Sequence, residues 1–205
     1  RGIVHHVLRW EGAKPASGIQ AAARQARYDL MRDWCQAHDV STLLTAHTLD
    51  DQAETVAMRQ QRTQSAKSLA GIWPATQWGT VRVVRPLLGL RRETLRDFLR
   101  NEGQSWIDDP SNEDPRFERV RVRNALVDHD PAPASAMALA AQQKHRDVRK
   151  AAGVFFNDHV ATDIYGSVKL PREGFMRLPP DVAEDVLARA IFVAGSGARP
   201  GRQGM

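Results

Sequence analysis

The sequence predicts an α/β fold: a Rossmann-like parallel sheet with crossover helices, followed by a mainly helical region. Three observations predict it. Short apolar, β-branched runs alternate with helix-period segments over the first part of the chain, the pattern of βα units. One run, "VSTLLTA" (residues 40–46), is apolar almost throughout, as suits a parallel strand covered on both faces. Beyond residue 127 the alternation stops and helical spacing dominates.

Taken in order, "GIVHHVL" (residues 2–8) is apolar enough for a buried strand, and "GAKPASG" follows as a loop. His5 and His6 point to opposite faces of such a strand, so they cannot share one ion. Residues 19–39 have helical spacing. Ala23, Ala26, Leu30 and Trp34 form one stripe, with Arg24, Arg27 and Arg32 off its centre. After "VSTLLTA", residues 49–62 read as a second helix. Residues 63–79 are polar and interrupted by Gly and Pro, hence a loop. "TVRVVRPLL" is a strand stopped by Pro86. "RRETLRDFLRNEG" is a helix with Leu95, Phe98 and Leu99 inward and Gly103 as its stop. "SWI" opens as a short strand and leads into a turn-rich loop. "VDHDPAPAS" is the linker candidate, which sets the expected domains at 1–127 and 128–205. Two helices, residues 134–156 and 179–195, and a hairpin around "IYGSVKL" follow.

Composition narrows the function. The 205 residues carry 29 Lys and Arg against 24 Asp and Glu, a formal charge of +5, so a polyanionic partner such as RNA suits the chain. A single cysteine, Cys35, excludes an intrachain disulfide framework, a Cys-rich zinc site and a protein-held iron–sulfur cluster. It fits a reducing compartment, here expected to be the cytoplasm. No apolar run approaches the roughly 20 residues a bilayer requires. The chain opens on Arg1 inside an expected strand, which implies residues upstream.

The chemistry concentrates at "AHTLDDQAET". His47 stands at the end of an expected strand, where open α/β sheets bind ligands. Asp50 and Asp51 fall in the first turn of the next helix, where acids are stabilised by the helix dipole, and Thr48 with Asp51 resembles a capping pair. Asp51 and Glu54 are three residues apart and share a face. Two carboxylates there repel unless a cation lies between them, and no basic residue stands at i+4 from either. Mg²⁺ with a phosphate, or a substrate ammonium, would satisfy them. Arg24, Arg27, Arg59, Arg62, Arg119 and Arg123 are candidates to face phosphates. Arg92, Arg96 and Arg100, spaced four apart, and Arg146, Arg149 and Lys150 are candidates to dock RNA. There is no Walker A motif and no Rossmann glycine fingerprint. "GSGARPG" is a poor phosphate loop, because an expected helix precedes it and Pro200 interrupts it.

The segments "AAARQARYDL", "LLTAHTLDDQAETVAMRQQR", "LAGI", "RPLLGLRRETLRDFLRNEG" and "WIDDPSNEDPRFERVRVRN", in that order, resemble the tRNA(Ile)-lysidine synthase family over roughly residues 1 to 125. The resemblance implies a sheet of the adenine nucleotide α-hydrolase type followed by helical tRNA-binding domains. It implies that ATP adenylates C2–O of the wobble cytidine in a CAU-anticodon tRNA(Ile), and that the ε-amine of free L-lysine displaces AMP. His47, Asp51 and Glu54 then fall at catalytic positions, with Asp51 also touching Mg²⁺. Arg24, Arg62, Arg119 and Arg123 fall at substrate positions.

Three departures accompany the resemblance. The family's "AHHxDD" reads "AHTLDD", with Thr48 for the second histidine. Its "RGSG" loop reads Arg62-Thr63-Gln64-Ser65. Its ATP loop "SGGxDS" does not occur in the 205 residues, so these residues alone are expected to bind ATP poorly. A non-catalytic basic fragment that docks tRNA remains an alternative, as do a related 2-thiocytidine synthetase, which the lone Cys35 disfavours, and a small-molecule amide ligase. A homodimer is left open.

Overall fold

In the computed structural model, residues 2–62, 66–108, 113–163 and 167–195 are described. By internal contacts the chain divides into two units, Arg1–Ala57 with Ile72–Ala132, and Met58–Gly71 with Pro133–Met205. The expected boundary at 127/128 lies five residues from this division, but residues 58–71, expected to belong with the sheet, group with the C-terminal part.

In the first unit, helix α1 (Ile19–Ala37) forms where the small and apolar residues recur at helical spacing, and it buries Cys35. Strand β1 (Thr42–Leu44) follows, then helix α2 (Leu49–Gln60), of which Leu49 to Ala57 belong to this unit. Strands β2 (Ala75–Trp78) and β3 (Val81–Val84) complete a sheet in the order β1-β3-β2. β1 and β3 are parallel, with Leu43 opposite Val83. β2 pairs antiparallel with β3, Ala75 opposite Val84 and Trp78 opposite Val81. The sheet is therefore mixed, not parallel throughout. The reason is the two-residue turn Gly79-Thr80: Gly79 sits at φ 58°, which a glycine adopts without strain, and this closes a hairpin inside a stretch expected to be loop. Val81 and Val83 point into the core.

"GIVHHVL" forms no strand. It pairs with no strand among the described residues, and Ile3 is 84% exposed. An apolar run becomes a strand only where a neighbour takes its backbone hydrogen bonds. His6 instead lies 4.7 Å from the Trp34 ring. Helix α4 (Arg92–Asn101) has the expected span, yet buries no residue fully, and Phe98 is 61% exposed rather than inward. "SWI" is not a strand either: Trp106 lies beside the guanidiniums of Arg96 and Arg100, 5.7 and 5.6 Å from its ring centre. Helix α5 (Glu118–Ala125) follows.

The second unit contains the four-residue helix α3 (Ala66–Leu69) and the long helix α6 (Ala132–His159). The expected linker is shorter than nine residues, because α6 starts within it. Pro133 falls in the first turn of α6, where the N–H it lacks has no helical partner in any case. The hairpin β4 (Ala161–Thr162) and β5 (Val168–Lys169), helix α7 (Arg172–Met176) and helix α8 (Pro180–Ala194) complete the unit. Its core is Ala152 and Phe155 of α6 against Val182 and Val186 of α8, flanked by Val148, Phe175 and Leu178. Gln142 is buried and donates to the carbonyl of Ala70 at 2.7 Å. Parts of four expected features, the loop at 63–65, the turn at 109–112, residues 164–166 of the expected hairpin and "GSGARPG", lie outside the described residues.

Candidate functional site

The site is built where β1 and β3 end and α2 begins. Thr45 N–H donates to Val84 O at 3.0 Å, which extends the parallel register one residue past the strands. Thr48 then caps α2: its carbonyl accepts from Gln52 N–H, and its amide donates to Asp51 Oδ2 at 2.7 Å. The Thr48 hydroxyl donates to the same oxygen at 2.8 Å. This is the expected capping pair, with aspartate in the reciprocal role usually taken by glutamate. Asp50 reaches across to α4, whose first amide, at Arg92, donates to Asp50 Oδ2 at 2.6 Å.

Asp51 and Glu54 share a face of α2, as their spacing predicts, and the cations between them come from this chain. Arg119 donates from Nε to Glu54 Oε2 at 2.6 Å and from Nη2 to Asp51 Oδ1 at 2.8 Å. Arg123, one turn further along α5, donates from Nε to Glu54 Oε1 at 2.7 Å. Arg92 Nη2 lies 3.4 Å from both carboxylates. Four-residue spacing puts Arg119 and Arg123 on one side of α5. Arg121, between them, turns away and donates to the carbonyls of Pro115 and Arg116.

This corrects two expectations. The carboxylates are already paired within the chain, so a cation from solution reaches them only by displacing an arginine. Asp51 does not suit a magnesium ligand in this arrangement either: each of its oxygens already accepts a hydrogen bond, and an ion there would face the Arg119 and Arg92 guanidiniums. Hard dications need open oxygen ligands and tolerate neighbouring positive charge badly. The Glu54 side chain is only 2% exposed. Among the described residues no group of three His, Cys, Asp or Glu side chains is placed to hold a metal ion.

Electrostatics follow the geometry. Burial pushes the Asp51 carboxyl up, but the two Thr48 hydrogen bonds, with Arg119 and Arg92, outweigh it and hold it below the ordinary carboxylate value. Arg123 is held above its ordinary value by its bond to Glu54. His47, at the strand end as predicted, shares a 3.0 Å hydrogen bond between Nδ1 and Thr45 Oγ1. Burial lowers its pKa; Asp51 opposes this, while Arg85, Arg24 and Arg119 reinforce it. His47 is therefore neutral at pH 7, a base with a proton vacancy beside several guanidiniums.

The structure places the other predicted residues unevenly. Arg24, on α1, lies over the Tyr28 ring at 5.1 Å. Arg62 is exposed and belongs to the second unit, as do Arg146, Arg149 and Lys150 on α6. Arg96 and Arg100 are on the outer side of α4, in exposed ion pairs with Glu93, Asp97 and Asp108. Arg92, predicted beside them, faces the carboxylates instead. Sequence reasoning missed Arg85. It follows β3 as His47 follows β1, and that shared position at a strand's carboxyl end was the available signal.

A sequence profile of the PP-loop domain matches residues 1–130. The chain belongs to the PP-loop domain family, an α/β, ATP-utilising class. Among its relatives are proteins named tRNA(Ile)-lysidine synthase. That of Ruegeria pomeroyi is 38% identical over 206 residues, covering 98% of this chain and 49% of the relative. That of Mesorhizobium japonicum is 49% identical over 137 residues, covering 62% and 29%. That of Methylobacterium nodulans is 39% identical over 209 residues, covering 98% and 61%. The chain thus spans about half the length of the Ruegeria pomeroyi relative. No helix among the described residues is long and apolar enough to cross a membrane.

Proposed function

We propose that this chain is the body of a tRNA(Ile)-lysidine synthase: with ATP, the whole protein adenylates C2–O of the wobble cytidine in CAU-anticodon tRNA(Ile) and then joins free L-lysine to C2. The observation that carries this reading is a convergence. Two motifs more than 60 residues apart, "AHTLDDQAET" and "FERVRVRN", meet in one charge cluster, in a chain 38% identical to a lysidine synthase along nearly its whole length.

Each residue then has a task. Cytidine C2 is a poor electrophile until its oxygen becomes a leaving group, and the lysine ammonium must lose a proton before it attacks. His47, neutral and half-buried, accepts that proton. Asp51 and Glu54 hold Arg119 and Arg123 in fixed positions, where guanidinium forks suit an anionic group on the substrate. The lysine ammonium reaches Asp51 by exchanging with Arg92, whose 3.4 Å contacts are longer than the 2.6 to 2.8 Å bonds from Arg119 and from Arg123 Nε. Arg24 supplies positive charge at the same end of the sheet. Arg96, Arg100, Arg146, Arg149 and Lys150 take tRNA phosphates. The exposed ion pairs of Arg96 and Arg100 are weak enough to exchange for them.

The test is a hybrid of the Ruegeria pomeroyi relative in which this chain replaces the aligned 206 residues. Transfer of labelled lysine to CAU-anticodon tRNA is expected, with loss on Asp51→Ala and little change in tRNA affinity. A folded hybrid that binds this tRNA but transfers no lysine would refute the reading. Equal loss of both properties in Asp51→Ala would refute the role given to Asp51.

A further inference from the structure

The backbone on both sides of His47 is pinned. Thr45, the first residue after β1, donates its amide to Val84 O at 3.0 Å, and Thr48 is locked onto Asp51 at the start of α2. Between them the His47 imidazole is half-buried and makes one hydrogen bond, between Nδ1 and Thr45 Oγ1 at 3.0 Å. Its Nε2 has no hydrogen-bond partner among the described residues, and the Thr45 hydroxyl has no other one. Threonine is β-branched and stiff about its first side-chain torsion, so a backbone held by β3 holds the hydroxyl as well.

Which group donates in this bond decides what the other ring nitrogen can do. A hydroxyl that donates to Nδ1 leaves the proton on Nε2, which then has no lone pair to offer. A hydroxyl that accepts from Nδ1–H leaves Nε2 with a bare lone pair. The charges acting on the ring favour the second arrangement. They are Asp51 on α2, Arg85 after β3, Arg24 on α1 and Arg119 on α5, three cations against one anion. Cations stabilise a lone pair on the nitrogen left to face them and repel an N–H there. The one anion is committed elsewhere: Asp51 Oδ2 accepts from Thr48 and Oδ1 from Arg119, so it does not call for an N–H on Nε2.

We infer that Thr45 is the positioning residue of His47: its hydroxyl accepts from Nδ1–H, sets the tautomer, and leaves Nε2 as the atom that takes up a proton. In that step a substrate ammonium gives one proton to Nε2, the substrate nitrogen keeps the electron pair, and the ring becomes an imidazolium with Nδ1–H still bonded to Thr45. The bond to Thr45 is charge-assisted in the imidazolium, so it strengthens as the proton arrives. The tautomer stands on the geometry around the ring; that the proton comes from lysine rests on the lysine-transfer reading above.

The first experiment is nitrogen NMR of the 205-residue chain with isotope-labelled histidine, at a pH where the His47 ring is neutral. Comparison with His47→Gln picks its signals out of the seven histidines. A protonated, pyrrole-type Nδ1 and a bare, pyridine-type Nε2 are expected. Thr45→Val keeps the size and the β-branch, removes the acceptor, and is expected to move the proton to Nε2 and to lower the His47 pKa further. Thr45→Ser is expected to restore most of both. In the hybrid enzyme, Thr45→Val is expected to lower kcat about tenfold, as for one hydrogen bond to a charged ring, with KM for lysine and tRNA affinity unchanged. The acid limb of its kcat profile moves to lower pH, because the base has lost the partner that stabilises its charged form; a merely structural loss leaves that limb in place. A parent chain with the His47 proton on Nε2 overturns the inference, as do a tautomer and pKa indifferent to Thr45→Val. So does an active hybrid whose kcat and acid limb Thr45→Val leaves unmoved. A hybrid inactive with Thr45 intact refutes lysine transfer alone, and the spectrum of the chain still decides the role of Thr45.

Discussion

Glu54→Gln removes the charge at the centre of the arginine cluster while keeping the shape of the side chain. Glu54 accepts two short bonds, 2.6 Å from Arg119 and 2.7 Å from Arg123, and its side chain is 2% exposed. A glutamine oxygen serves one guanidinium, and its amide group confronts the other donor with a donor. Losing one charge-assisted bond costs about 1.5–3 kcal/mol. Leaving one member of a buried pair uncompensated costs about 3–5 kcal/mol. Arg119 and Arg123 are 34% and 29% exposed, so water relieves part of this. An expected loss of about 3 kcal/mol follows. With a urea slope of about 2 kcal/mol per molar, the unfolding midpoint of the first unit falls by about 1.5 M. Urea unfolding followed by tryptophan fluorescence measures it, with the exposed Glu102→Gln as a control expected to change nothing. A midpoint within about 0.3 M of the parent at unchanged slope would refute the buried-cluster account. The paired variant Glu54→Gln/Arg123→Gln is expected to recover part of the loss, because the unmatched cation leaves with its partner.

Stability should fall as the solution is acidified, in two stages. His47 has a folded pKa below its ordinary 6.5, so its contribution is complete above pH 6.5 and is lost as pH falls toward the folded value; His47→Gln removes that stage. Asp51, also lowered, adds a second loss below about pH 3.8, absent in Asp51→Asn; thermal melts across pH 3 to 8 separate the two. Thr48→Val removes the hydroxyl bond to Asp51 and costs about 1–2 kcal/mol in chemical denaturation, whereas Thr48→Ser restores most of it. Replacing Arg146, Arg149 and Lys150 by Gln is expected to weaken tRNA binding and reduce the slope of log affinity against log salt by roughly 1 to 3 units; an unchanged slope means that this helix face meets only water.

Much of the fold was legible because it rests on local periodicity. The spans of α1, α2, α4, α6 and α8 follow their apolar spacing, and the continuous apolar runs became β1 and β3. The hairpin strand β2 was not legible. "ATQW" has no alternation of its own and becomes a strand through Gly79 and the edge that β3 offers. "GIVHHVL" failed for the converse reason, a strand-like run that pairs with no strand among the described residues.

The candidate site divides along the same line. From the sequence alone came the positions of His47, Asp51 and Glu54, the cap at Thr48 and the need for a cation between two carboxylates on one helix face, since each follows from helix geometry and charge within a few residues. Which cations answer that need was decided by tertiary structure. Arg119 and Arg123 lie more than 60 residues away and Arg92 nearly 40, and no local rule relates such distances in sequence to a few ångströms in space. Only the packing of α5 and α4 against α2 turned an acidic patch into a neutralised cluster.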